Sequence, residues 1–228
     1  MFQELVLANK EFLKLLYALL IILICSFIFL KSDRLFKISD YQGLRYLRNA
    51  FLFYGLFIFT DIILGNLRDP LTQYPSLYYN SLEFLSVFLV ISAGFFLLYS
   101  LLWKYLEKEK KYHSVFNLNI LVFLILALIL TSLNVLLDSD ILLNISQTIL
   151  FLIIGIISLL NYSKDTKKQS LSKYYLIAVT FGFISWLLHS FSSLVIFNPI
   201  IQTLSYISST LFFFLFFYMT LKITNSKW

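Results

Sequence analysis

Three ionisable side chains, Asp61, Glu83 and His189, stand within long apolar runs of the chain. Two carboxylates and an imidazole are groups that take a proton, an amine or another cation. A charge inside a membrane span is costly, and by default it marks a ligand site or a water-filled cavity. Two carboxylates sharing a low-dielectric space do not both stay charged without a compensating cation. His189 and Arg68 are the bases expected to supply that compensation. Tyr54, Asn134, Gln147 and Gln202 add neutral donors and acceptors in neighbouring runs. Together these residues form the candidate ligand- or proton-binding set.

The elements that must position them follow from composition. The chain has 228 residues, of which 60% are hydrophobic and 13% charged. Soluble domains are nearer half apolar and a quarter charged, so the departure points to a polytopic membrane protein. A helical crossing needs about 20 apolar residues. Runs at 12–30, 44–66, 77–103, 115–137, 141–161, 173–194 and 199–221 meet that need. They predict an all-α fold, a seven-transmembrane helix bundle forming one domain over 1–228. Backbone groups in lipid must pair internally, and these runs are too long for barrel strands. The short connections leave no room among these residues for a soluble catalytic or nucleotide-binding domain. The first run is read as a span and not as a cleaved signal, because no small-residue site follows it before Lys31, Ser32, Asp33 and Arg34. Cys25, the single cysteine, reads as a small packing residue.

Charge gives the orientation. Fifteen of the eighteen Lys and Arg residues fall on alternate connections and the C-terminus, and only Lys10, Lys14 and Arg68 fall on the other side. The positive-inside rule then predicts an outer N-terminus and an inner C-terminus. The net charge of +6 is thereby a topology signal, and no nucleic-acid partner is expected. Ser39 with Gln42 reads as a capping box opening the second helix, and Pro75 and Pro199 precede or open the third and seventh. Tyr46, Trp103 and Tyr174 read as part of an inner aromatic belt.

Depth follows from orientation. Asp61, Glu83 and His189 fall near the outer ends of spans two, three and six. Helical spacing puts Ala178, Gly182, Ser185, His189 and Ser192 on one small or polar face, and Asn80, Glu83, Val87 and Gly94 on another. Small and polar residues are the ones that pack helix against helix in a membrane. Span one has fewest of them and is expected at the lipid-facing edge. The outer side carries seven acids (Glu4, Glu11, Asp61, Asp69, Glu83, Asp138 and Asp140) against three bases, so a cation or amine is the expected ligand. Spans two and six match at Tyr46/Tyr174, Ala50/Ala178, Phe53/Phe181 and Asp61/His189, which suggests a 3+1+3 repeat.

The layout of seven spans with an outer N-terminus resembles that of rhodopsins. Their chromophore would need a lysine in the last span, and 199–221 has none. The three-one-three arrangement resembles the small sugar transporters and PQ-loop proteins, but the Pro-Gln pair is absent. Ceramidase-like membrane hydrolases hold zinc with several histidines, whereas this chain has only His113 and His189. No phosphate-binding glycine loop or cysteine cluster occurs. No enzyme activity, cofactor or metal is therefore expected. The expected function is a non-enzymatic binding or sensory protein of the cell membrane with an outward-facing polar cavity. The alternatives are a small proton- or cation-coupled transporter and a structural subunit of a membrane complex. The expected partners are the lipid bilayer, a small cationic ligand or proton, and a protein docking on the basic inner loops 31–43, 104–114 and 162–173.

Overall fold

A computed structural model describes residues 10–39, 42–64, 76–106, 118–137, 140–164, 170–194 and 199–225, and all of these are helical. In chain order the helices are α1 (Lys10–Ser39), α2 (Gln42–Ile58), α3 (Ser76–Leu106), α4 (Leu118–Leu137), α5 (Asp140–Lys164), α6 (Ser170–Leu194) and α7 (Pro199–Asn225). Six of these seven are long and apolar enough to cross a membrane. The other, α2, has 17 residues in α-helix and runs on without a break into a π-helical segment, Phe59–Leu64. Apolar runs of this number and length make the chain a multi-pass helical membrane protein.

Helix ends agree with the apolar runs to within a few residues, except at α1. It continues through Lys31–Ile38, where no glycine or proline stops it. Ser39 is the last residue of the first helix and α2 begins at Gln42; the side chains of the expected Ser39–Gln42 capping box lie outside the described ones. Pro199 opens α7 as its fixed φ allows. Pro75 lies outside the described residues.

Six helices form a closed ring: α1 packs on α2, α2 on α3, α3 on α5, α5 on α6, α6 on α7, and α7 back on α1. Helix α4 lies outside this ring, against α3 and α5. The expectation that the first span is peripheral is thus overturned, and α4 takes that place. The reason is the inward stripe Ala18, Ile21, Cys25, Ile28 and Ser32, all buried at three- and four-residue steps. Side-chain size let α1 approach its neighbour, and polarity was not needed: a Cβ on Gly55 would stand 3.1 Å from Cβ of Cys25. Among the described side chains of α4 only Ala127, Thr131 and Asn134 are buried, while Leu121, Ile125, Leu128 and Leu136 are exposed to the surroundings of the bundle.

The centre of the ring is aromatic. Phe51 stands 5.0 Å from Phe216 and 6.0 Å from Phe213, ring centroid to centroid. Phe212 stands 5.1 Å from Phe216 and 5.8 Å from Phe151. Tilted and edge-to-face pairs of this kind add to the burial of the rings themselves. Tyr46 joins this interior, edge-on to Tyr99 at 4.3 Å, and is buried. It is a core residue and does not belong to the interfacial belt assigned to it from sequence. Trp103 and Tyr174 are half-buried, and the Lys222 ammonium lies 4.9 Å above the Tyr174 ring.

Candidate functional site

One end of the ring opens into a cavity of about 550 Å³. Because consecutive helices run in opposite directions, its walls combine the beginnings of α1, α3, α5 and α7 with the ends of α2 and α6. Asp61 comes from the π segment after α2, Glu83 from the second turn of α3, and His189 from the last part of α6; all three line it. Asp61 and His189 are exposed and Glu83 is half-buried. Each of the three engages another group of the chain.

The π segment has a local cause. Thr60 Oγ1 donates towards the carbonyls of Leu56 at 3.1 Å and Phe57 at 2.9 Å. Back-bonding of this kind loosens the regular ladder. A wide π turn changes which way the following side chains face and is common at functional positions. Thr60 also meets Ser86 of α3, oxygen to oxygen at 3.4 Å, which ties the segment to the wall that bears Glu83.

The α6–α7 wall is held by serines. Ser185 Oγ donates to the carbonyl of Ser205 at 3.1 Å, and Ser205 Oγ donates to the carbonyl of Ser185 at 3.1 Å. Ser208 Oγ donates to the Phe181 carbonyl at 2.8 Å. The α1–α7 seam is closed by Tyr17, whose hydroxyl lies 2.7 Å from Ser209 Oγ and whose ring is 4.9 Å from Tyr206. Trp186 stands edge-on to the His189 ring at 5.8 Å. The floor is Tyr54, Phe151, Phe212 and Phe213, continuous with the aromatic core. Tyr54 is 4% exposed, and its hydroxyl has no hydrogen-bond partner among the described residues.

Of the set named from sequence, Tyr54, Asp61, Glu83 and His189 share this cavity, and Asn134, Gln147 and Gln202 do not line it. Gln202 reaches it indirectly, donating from Nε2 to the Tyr206 hydroxyl at 3.3 Å. Asn134 and Gln147 are buried in α4 and α5. The Gln147 amide oxygen lies 3.2 Å from where a Cβ of Gly94 would be. Sequence reasoning missed Lys14, Tyr17, Trp186 and Tyr206 as lining groups. Lys14 and Tyr17 stand three residues apart on α1, the helix expected at the edge of the bundle. Trp186 neighbours the recognised Ser185 face, and its ring width carries it into the cavity. No group of three or more metal-ligating side chains occurs among the described residues.

The opposite end of the bundle differs in charge. Arg48 of α2 pairs with Asp33 of α1, lies 3.3 Å from Asn49 Oδ1, and sits 5.6 Å from the Phe29 ring. Lys31 lies 5.6 Å above Phe27. Of the segments expected to dock a protein, 31–39 and 42–43 belong to α1 and α2, whereas 107–114 and 165–169 lie outside the described residues.

Helices, cavity and charge distribution together define an integral, multi-pass helical membrane protein. An alignment over 103 positions, covering 41% of the chain, is 32% identical to a protein of Archaeoglobus fulgidus described as uncharacterized. It covers 44% of that protein, so the chain spans less than half the length of the relative it matches. No family model matches the chain, and no solved structure does.

Proposed function

We propose that the chain is a seven-span binding or sensory protein, without enzymatic activity, whose cavity faces outward and takes a small cationic ligand or a proton. The observation that carries this reading is the meeting of Asp61, Glu83 and His189, from three separate helices, around one cavity closed below by buried rings. The outward direction is supported by charge. Lys31, Arg45, Arg48, Lys173 and Lys222 lie at the end away from the cavity, where the positive-inside rule puts the cytoplasm. The aromatic floor favours binding over conduction, because it leaves no polar route through the ring centre among the described residues. Signal output would pass to a protein partner at the basic end.

The test is the thermal unfolding of the purified full chain across pH and with tetramethylammonium or methylammonium added. The expected result is a midpoint that rises with the amine and moves with pH, both effects being lost in Asp61→Asn with Glu83→Gln. A midpoint indifferent to pH and to amines in the unaltered chain removes the reading.

One observation favours a small proton- or cation-coupled transporter as the second reading. The ring contains α1–α3 and α5–α7, with α4 outside, which is the arrangement a 3+1+3 repeat would produce. Uptake of a labelled substrate or of protons into proteoliposomes, lost on Asp61→Asn, would support transport. Uptake unchanged in Asp61→Asn and Glu83→Gln would exclude these carboxylates as the coupling groups.

A further inference from the structure

The cavity walls carry both signs of charge. Asp61 and Glu83 stand on the π segment and α3, and Lys14 stands on α1, all lining the same space. A plain cation seated there meets the Lys14 ammonium as well as the carboxylates. A plain anion meets two carboxylates. The volume, about 550 Å³, is in the range of small-molecule sites, roughly 300–1,000 Å³. Beside these charged groups the lining is aromatic, with Tyr17, Trp186 and Tyr206 joining Phe151, Phe212 and Phe213 of the floor. Tyr54 adds a nine-tenths-buried hydroxyl on that floor, with no hydrogen-bond partner among the described residues.

We infer that the ligand is a zwitterion with an apolar body: an ammonium group towards Asp61 and Glu83, an anionic group on Lys14, and a hydrophobic part against the aromatic floor. This rests on the proposal that the cavity binds a ligand, and it adds the second pole. Ammonium groups are drawn to carboxylates and to aromatic faces, and both line the cavity. A compact ammonium such as Lys14 acts as a point charge for a carboxylate or phosphate oxygen. The apolar floor supplies area but no discrimination, so specificity would lie in the pairing of the two charged seats. Two sources offer this chemistry, a free apolar amino acid and the headgroup of a phosphatidylethanolamine lipid.

The experiment compares L-phenylalanine with its two halves, phenethylamine and 3-phenylpropionate, on the full chain in detergent, read by thermal unfolding and by calorimetric titration. A parallel arm compares nanodiscs of phosphatidylethanolamine with nanodiscs of phosphatidylglycerol. L-Phenylalanine is expected to bind more tightly than either half. Lys14→Gln is expected to weaken it about tenfold, the scale of one lost charge-assisted contact, and to leave phenethylamine unchanged. Lys14→Arg keeps the charge and is expected to retain the preference, which separates lost recognition from lost folding. Stabilisation by phosphatidylethanolamine, lost in Lys14→Gln and without response to L-phenylalanine, assigns the zwitterion to a lipid headgroup. Phenethylamine binding as well as L-phenylalanine, unaltered by Lys14→Gln, overturns the zwitterion and leaves the cation-binding proposal standing. No response to any of the three small molecules or to either lipid overturns the zwitterion, and the binding proposal then stands or falls on the response to pH and methylammonium.

Discussion

Gly182 and Gly155 put the packing of the cavity floor to a direct test. A Cβ on Gly182 would stand 2.5 Å from Phe151 Cε1 and 2.9 Å from Phe212 Cδ2, both rings being buried. Overpacking of that kind costs about 1–3 kcal/mol, so Gly182→Ala is expected to lower the unfolding midpoint and shrink the cavity. A Cβ on Gly155 would meet only Val179 Cγ1 at 3.9 Å. Gly155→Ala is expected to be neutral or to stabilise by up to about 1 kcal/mol. Equal behaviour of the two alanine variants in thermal unfolding would mean the floor rings are not where they are described. Gln147 carries a second prediction. It is fully buried, and neither amide atom has a hydrogen-bond partner among the described residues. Replacing an unsatisfied buried amide by a similar-sized apolar group recovers about 1–3 kcal/mol, so Gln147→Met is expected to raise the midpoint. A fall instead would reveal a bound water or partner satisfying the amide. The acids and His189 were legible in the sequence because a charge in an apolar run stands out. Lys14 was not, since a lysine near the start of a span reads equally well as a flanking charge.

Helices α1 and α7 meet at the Tyr17–Ser209 contact of 2.7 Å, beside the cavity. Tyr17→Phe removes one hydrogen bond and keeps the ring contact with Tyr206, so a loss of about 0.5–1.5 kcal/mol is expected. A double-mutant cycle with Ser209→Ala checks it, and a zero coupling would mean that the seam is held by ring packing alone. Element types and spans were readable from hydropathy, because about 20 apolar residues have one stable form in lipid. Which helix stands outside the ring was not readable. Both α1 and α4 are strongly apolar, and the decision rests on the close approach of Cys25 to Gly55, a pairing between helices. The π segment was equally hidden, since it depends on Thr60 meeting Leu56, Phe57 and Ser86 together.

The bundle as a whole has one acidic, aromatic-floored end and one basic end. If the basic end is cytoplasmic, a cysteine placed at Lys10 will react with an impermeant maleimide in intact cells, and one placed at Lys227 will react only after permeabilisation. The reverse result would turn the cavity inward and redirect the search for its ligand. Hydropathy and charge along the chain settled the class of protein and the separation of acidic from basic ends, because both quantities add up locally and need no partner. Tertiary packing settled the rest: that Asp61, Glu83 and His189 surround one space, that Lys14 joins them, and that Asn134 and Gln147 face elsewhere. Those outcomes depend on how each helix is rotated against its neighbours. Rotation is set by small residues and rings meeting across helices, and a single apolar run carries too little asymmetry to reveal it.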